Sequence, residues 1–199
     1  ALRAPTAGNM MLYSILEVDD PEKRKALSVT CGHSFVAEAP LVLLFLADMQ
    51  RWVDFFERND VPKSCLNWEA EYRTPGVAKL LLACCDALAA AQTSVIAAES
   101  LGIGSCYVGD ILGHAEEHRL LFGLPPYVFP IALLCYGYPP EGRTPARSER
   151  FAREFIVHRD TYRRFSREEL EAMVSDVAPR FAGLLKEKGL TFAELTYRG

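Results

Sequence analysis

The stretch from Val77 to Leu101 constrains the fold most. It is long, apolar and striped at helical spacing. Leu80, Cys84, Leu88, Ala91, Val95 and Ala98 fall on one stripe, and Ala83, Ala87, Ala90, Ser94 and Ala97 on a second. A helix with two apolar stripes packs on two sides. The second stripe holds only small residues, which let another element approach closely. That surface is a core face or a subunit interface, and the spacing leaves both open. Lys79, Asp86 and Gln92 interrupt the run. The longest unbroken apolar stretch, Ala39 to Ala47, falls short of the ~20 residues a membrane span needs, so no membrane partner is expected.

Around this helix the chain alternates strand and helix signals. Met11 to Val18, Leu41 to Ala47, Ser105 to Gly109 and Val128 to Tyr136 read as strands; the second is a continuous apolar run suited to burial on both faces. Asp19-Asp20-Pro21 starts a helix that runs to about Thr30, and Gly32 ends it. Residues 48 to 76 read as a partly helical excursion. Ala115 to Phe122 is a short helix, Phe151 to His158 an extended segment, and Ser166 a helix start, with Pro179 dividing the remaining helical stretch. This mixture is α/β or α+β. At 199 residues, against roughly 150 for a typical domain, a single domain over residues 1–199 is expected.

A net charge of −4, with half the residues hydrophobic, excludes a disordered chain and a strongly basic nucleic-acid binder. The six cysteines show no zinc spacing and read as reduced, mostly buried thiols, which points to the cytoplasm. His114 and His118 are spaced four apart without a third ligand and read as solvent-facing. Ala1-Leu2-Arg3-Ala4 reads as a helix tail ended by Pro5, so an upstream segment of tens of residues is expected.

Four segments could carry chemistry. In Pro5-Thr6-Ala7-Gly8-Asn9, Asn9 offers a donor and an acceptor to an amide-like edge. Gly102-Ile103-Gly104-Ser105 offers bare backbone N–H groups. Gly137-Tyr138-Pro139 is followed by Arg143, Arg147 and Arg150, whose guanidinium forks suit phosphate oxygens. The aromatic set Trp52, Phe55, Phe56, Trp68 and Tyr72 is core filler or the wall of a planar pocket. No P-loop, GxSxG or HExxH is present, and no nucleophile sits with a base. Ligand-edge segments without an acid, base or nucleophile suggest chemistry borrowed from a cofactor.

Together these segments resemble the FMN-dependent nitroreductase family. Ala4 to Asn9 is similar to its APSAGN-type motif. Asp86 to Gln92, continuing through Ala98 to Tyr107, is similar to its central helix and flavin turn. Leu124-Pro125 and Gly137-Tyr138-Pro139 resemble its "lgLP…lGYP" segment, and Arg147 to Phe151 the arginine-rich region after it. The resemblance runs from about residue 1 to 165. It implies an α+β fold, a central mostly antiparallel sheet flanked by helices, in an interwoven homodimer with FMN at the subunit interface. Pro5, Thr6, Ala7 and Asn9 would line the isoalloxazine ring, often from the partner subunit. Gly102, Ile103 and Gly104 would lie at its N5 and O4 edge. Arg147 or Arg150 would hold the phosphate, with Arg143 a weaker candidate. The family's arginine-rich N-terminal RRSxR-type motif is not in this sequence.

The activity so implied is ping-pong turnover. NADH or NADPH reduces FMN, and a nitroaromatic, quinone or similar planar acceptor then takes its place. No side chain need act as proton donor. Trp52, Trp68 and Tyr72 are candidate substrate walls. Alternatives are a dehalogenase or flavin-degrading enzyme of the same fold, and a flavin-binding or sensory protein without turnover. A further alternative, a plain dimeric interaction module, ignores the resemblance.

Overall fold

The computed structural model describes residues 1–67, 71–142 and 148–198. They fall into two compact units, residues 1–142 and 143–199.

The first unit is built on four antiparallel strands: β1 (Tyr13–Glu17), β2 (Leu41–Asp48), β3 (Gly104–Val108) and β4 (Val128–Gly137), in the order β1-β2-β4-β3. Between them lie α1 (Pro21–Thr30), α2 (Phe35–Glu38), α3 (Gln50–Arg58), α4 (Val61–Asn67), α5 (Val77–Ser100) and α6 (Ala115–Phe122). The sequence signals account for several boundaries. The Asp20 carboxylate accepts from the Glu22 and Lys23 N–H groups ahead of Pro21, and Gly123 closes α6 in the left-handed region at φ 62°.

Strand alternation divides the core into two layers. On one face Val42, Leu44, Leu46, Leu133 and Cys135 pack with Leu27, Val36 and Ile111. On the other, Phe45, Ala132, Leu134 and Tyr136 pack with Ala87, Ala90 and Ala91 of α5. β2 is therefore buried on both faces, as its apolar run requires.

The small residues of α5 face this sheet. Ala83, Asp86, Ala87, Ala90, Ala91 and Ala98 are its buried positions. Ala83, Ala87 and Ala90 of the small-residue stripe are thus a core face, while Ser94 is half-buried and Ala97 exposed. The leucine-bearing stripe is not buried along its length: Leu80 and Leu88 are exposed, as are Val77, Leu81 and Ile96 on the outer surface. Within this chain α5 is covered on one side, because the sheet offers one surface and only alanine-sized groups fit between helix and strands. By length and composition alone α5 is also apolar enough to cross a membrane. Its inner face, though, carries a buried carboxylate and lies on the sheet.

Two sequence expectations are corrected. His118 is not solvent-facing but fully buried, its ring nitrogens paired with the Thr30 hydroxyl (2.8 Å) and the Ile111 carbonyl (2.9 Å). Burial holds its pKa below the ordinary histidine value. It turns inward because α6 presents it to the core while His114 stays outside, paired with Glu117. Among the cysteines Cys31, Cys65 and Cys135 are buried, Cys84 is half-buried, and Cys85 and Cys106 are exposed; all are free thiols.

The second unit carries α7 (Arg167–Ser175), α8 (Ala182–Lys188) and α9 (Phe192–Arg198). Ser166 and Glu169 form a reciprocal capping box at the start of α7. Pro179 sits in a short 3-10 turn, Ala178–Phe181, that separates α7 from α8. Phe151 to His158 is not extended: a 3-10 turn occupies Arg153–Phe155, closed by the Val157 N–H on the Arg153 carbonyl at 2.8 Å.

Candidate functional site

The N-terminal loop is held from beneath by one side chain. Asp86 of α5 is only 4% exposed. Its carboxylate accepts from the Thr6 hydroxyl, from the Ala7 N–H at 3.0 Å and from the Leu12 N–H at 3.1 Å. The Thr6 oxygen in turn accepts from the Met11 N–H at 2.8 Å. The Trp52 indole N–H donates to the Met10 carbonyl at 2.9 Å. Gly8 and Asn9 both stand at φ 56°, in the left-handed region that glycine and asparagine enter most readily. The loop is thereby pinned on its inner side and leaves Pro5, Gly8 and Asn9 exposed. Thr6 spends its hydroxyl on the pinning. Asp86 went unrecognised in the sequence, where it reads only as an interruption of an apolar helix. A carboxylate in a stripe of alanines was the available signal, since such a group is buried only when hydrogen-bonded.

The second segment closes α5. Gly102 stands at φ 74°, and the cap bonds run from the Gly102 N–H to the Glu99 carbonyl (3.0 Å) and from the Ile103 N–H to the Ala98 carbonyl (2.9 Å). Both N–H groups are therefore engaged in the cap rather than bare. What the turn offers is surface without Cβ atoms at the exposed Gly102 and Gly104. Gly104 opens β3 opposite Gly137, whose carbonyl oxygen would lie 3.4 Å from a Cβ there.

These two segments attach to α5 at different points, the loop at Asp86 and the turn after Ser100. Asp86 and the end of α5 at Ser100 are separated by roughly 21 Å along the axis, at 1.5 Å per residue. Arg150 lies exposed in the second unit, its Nη1 donating to the Glu149 carbonyl at 3.4 Å. Arg143 and Arg147 lie outside the described residues.

Among the aromatic wall candidates, Trp52 serves as a loop anchor and packs on Phe55 and Phe56. Tyr72 is half-buried, and Trp68 lies outside the described residues. An open, mainly apolar hollow of about 350 Å³ lies at the start of α5, lined by Met49, Val77, Leu80, Tyr127 and Phe129 among others. Met49 and Tyr127 share an apolar cluster with Ala7 and Met10, so the hollow borders the pinned loop.

The model of the nitroreductase family matches residues 1–138. This chain belongs to the nitroreductase family. It is 32% identical over 160 residues to an FMN reductase [NAD(P)H] of Bacillus subtilis, covering 80% of this chain and 61% of that protein. Among solved structures it is similar to nitroreductase A of Vibrio parahaemolyticus, with a TM-score of 0.76 at 25% identity, covering 92% of this chain and 72% of that one. It is also similar to an NADPH:FMN oxidoreductase of Vibrio harveyi complexed with NAD+, with a TM-score of 0.72 at 26% identity, covering 86% and 69%. The chain spans less than two thirds of the length of the Bacillus relative. The α+β fold with its antiparallel sheet is the one this nitroreductase chain was expected to have.

Proposed function

We propose that this nitroreductase-family chain works as a homodimeric, FMN-dependent NAD(P)H oxidoreductase of the cytoplasm. One observation carries the reading: the loop is anchored at Asp86 and the turn follows Ser100, two points roughly 21 Å apart along one helix. The outer surface of that helix meanwhile shows exposed apolar side chains, Leu81, Leu88 and Ile96, with Gln92 between the last two. A two-fold pairing through this surface buries it and brings the loop of one copy toward the turn of the other, since an isologous interface places the same patch of both copies face to face.

The residues fit FMN. Gly8, Gly102 and Gly104 present backbone alone and Pro5 a compact apolar ring, which suits the face and edge of a planar ring, and Asn9 supplies a donor and an acceptor for its polar rim. When bound, FMN would supply hydride chemistry between NADH or NADPH and a nitroaromatic, quinone or similar planar acceptor. The protein's share is positional. Asp86 and Thr6 hold the loop rigid, so that Pro5, Ala7 and Asn9 meet the ring without reorganisation. Gly102, Ile103 and Gly104 let the partner's ring edge approach the backbone closely. Arg150, or Arg147, would hold the phosphate with its fork. The hollow beside Met49 and Tyr127 offers an apolar wall to the acceptor. No side chain in either segment is placed to move a proton, which leaves that role to solvent.

The test uses the purified chain. Light scattering should give twice the 22.2 kDa chain mass, denaturation should release one FMN per chain, and NADPH should be oxidised when a nitroaromatic or free FMN is added. A monomer that retains no added FMN would refute the proposal.

A further inference from the structure

Cys106 of β3 and Cys135 of β4 are direct cross-strand partners. Opposed residues of an antiparallel pair project to the same face, with Cα atoms about 4.5–5.5 Å apart. A disulfide needs about 4.4–6.8 Å. Cys106 is exposed on the edge strand, where its thiol donates to the Tyr107 carbonyl at 3.5 Å, so an oxidant reaches it from solvent. Cys135 is buried with Leu133, Leu27 and Cys31, on the sheet face away from α5. Pairing of two copies through α5 therefore leaves Cys106 accessible. The pair sits two residues into β3, beside the turn at Gly102 and Gly104.

We propose that Cys106 and Cys135 form a peroxide-responsive thiol pair that closes a reversible cross-strand disulfide next to this turn. The oxidant is hydrogen peroxide. The Cys106 thiolate attacks one peroxide oxygen, the O–O bond breaks, and hydroxide leaves to take up a proton as water; Cys106 becomes a sulfenic acid. The Cys135 sulfur, giving up its proton, then attacks the sulfenic sulfur. The S–O bond breaks, and the departing oxygen leaves as a second water. Two thiols lose two electrons in all, and one peroxide becomes two waters. The roles are not interchangeable. Burial first, then the nearby Cys106 and Cys31 thiols, push the Cys135 pKa up to about 11, so Cys135 meets peroxide poorly and serves as the resolving thiol. Opposed Cβ atoms lie about 4.5–5.5 Å apart, a little beyond the roughly 3.5–4.5 Å of a relaxed bridge. The strands must draw together, which makes the bond easy to reduce.

The experiment treats the reduced full chain with a small excess of hydrogen peroxide, then alkylates and digests it without reductant. The expected result is a linked peptide pair carrying Cys106 and Cys135, loss of two of the six titratable thiols, and recovery of both with dithiothreitol. Cys106→Ser should abolish the link, and Cys135→Ala should leave Cys106 as a sulfenic or sulfinic acid while the other thiols stay free. A Cys31–Cys135 link, an inter-chain Cys85 bond as the sole product, or unchanged thiols in the wild-type chain would each overturn the proposal. The pair does not depend on the flavin reading, and a colourless preparation tests it equally well.

Discussion

The loop at Pro5–Asn9 and the turn at Gly102–Gly104, which the flavin proposal assigns to one ligand, are built in opposite ways. The turn is local: its bonds join residues within five positions of one another, and Gly102 adopts a φ that its lack of a side chain permits. The loop is tertiary: it owes its shape to Asp86, some eighty residues away in sequence. A turn of the first kind needs only the end of α5, whereas a loop of the second kind exists only once α5 has docked on the sheet. Damage should therefore spread from the loop and stay confined at the turn. The two should also depend alike on a second copy, if the site forms between copies.

That shared dependence predicts the largest effect. Replacing Leu88 and Ile96 together by aspartate places charge on the exposed outer surface of α5 without touching its sheet-facing alanines. Light scattering should then report a single 22.2 kDa chain, and FMN affinity should fall by at least about tenfold, or 1.4 kcal/mol. Far-ultraviolet circular dichroism should be unchanged. A monomer that keeps full FMN affinity would show that one copy suffices.

Asp86→Ala comes next. It removes the acceptor for the Thr6 hydroxyl and for the Ala7 and Leu12 N–H groups, and leaves donors buried without partners. Each bond to a charged group contributes roughly 1.5–3 kcal/mol, so the loss in urea unfolding should reach about 3 kcal/mol or more, accompanied by loss of flavin. Thr6→Val strands the Met11 N–H and takes one donor from the Asp86 carboxylate, which should cost about 1–3 kcal/mol, while Thr6→Ser restores both bonds and the stability. An Asp86→Ala chain as stable as wild type would mean the loop holds itself, and the contrast with the turn would fail.

The same contrast explains which features were legible in the sequence. The strands, the Asp20–Pro21 helix start, the Gly123 stop and the Ser166 cap are signals read within a few residues, and the structure agrees with each. The Gly102–Gly104 turn was legible for the same reason, although the bare N–H groups expected there are partly engaged in the cap. Asp86 and His118 were not legible. Periodicity marks a polar residue in an apolar helix as an interruption or as surface, and cannot see the donors that another segment brings to it. The stripes of α5 were visible, but not which one the sheet would cover. That choice depends on side-chain volume against a surface that exists only after the strands have paired.

The smallest effect should come from Gly102→Ala. Space does not oppose the methyl group, for no heavy atom lies within 4 Å of the position a Cβ would take. The cost is confined to the backbone at φ 74°, where an alanine is strained by about 1 kcal/mol. Thermal unfolding should therefore register a modest loss, well below that of Asp86→Ala. Flavin binding should respond separately, because the added methyl stands on the surface that the flavin proposal assigns to the ring. A Gly102→Ala chain that loses flavin while remaining dimeric and nearly as stable would place the ring against this turn. One that loses stability as heavily as Asp86→Ala would show the turn to be as tertiary in origin as the loop, and would erase the distinction between them.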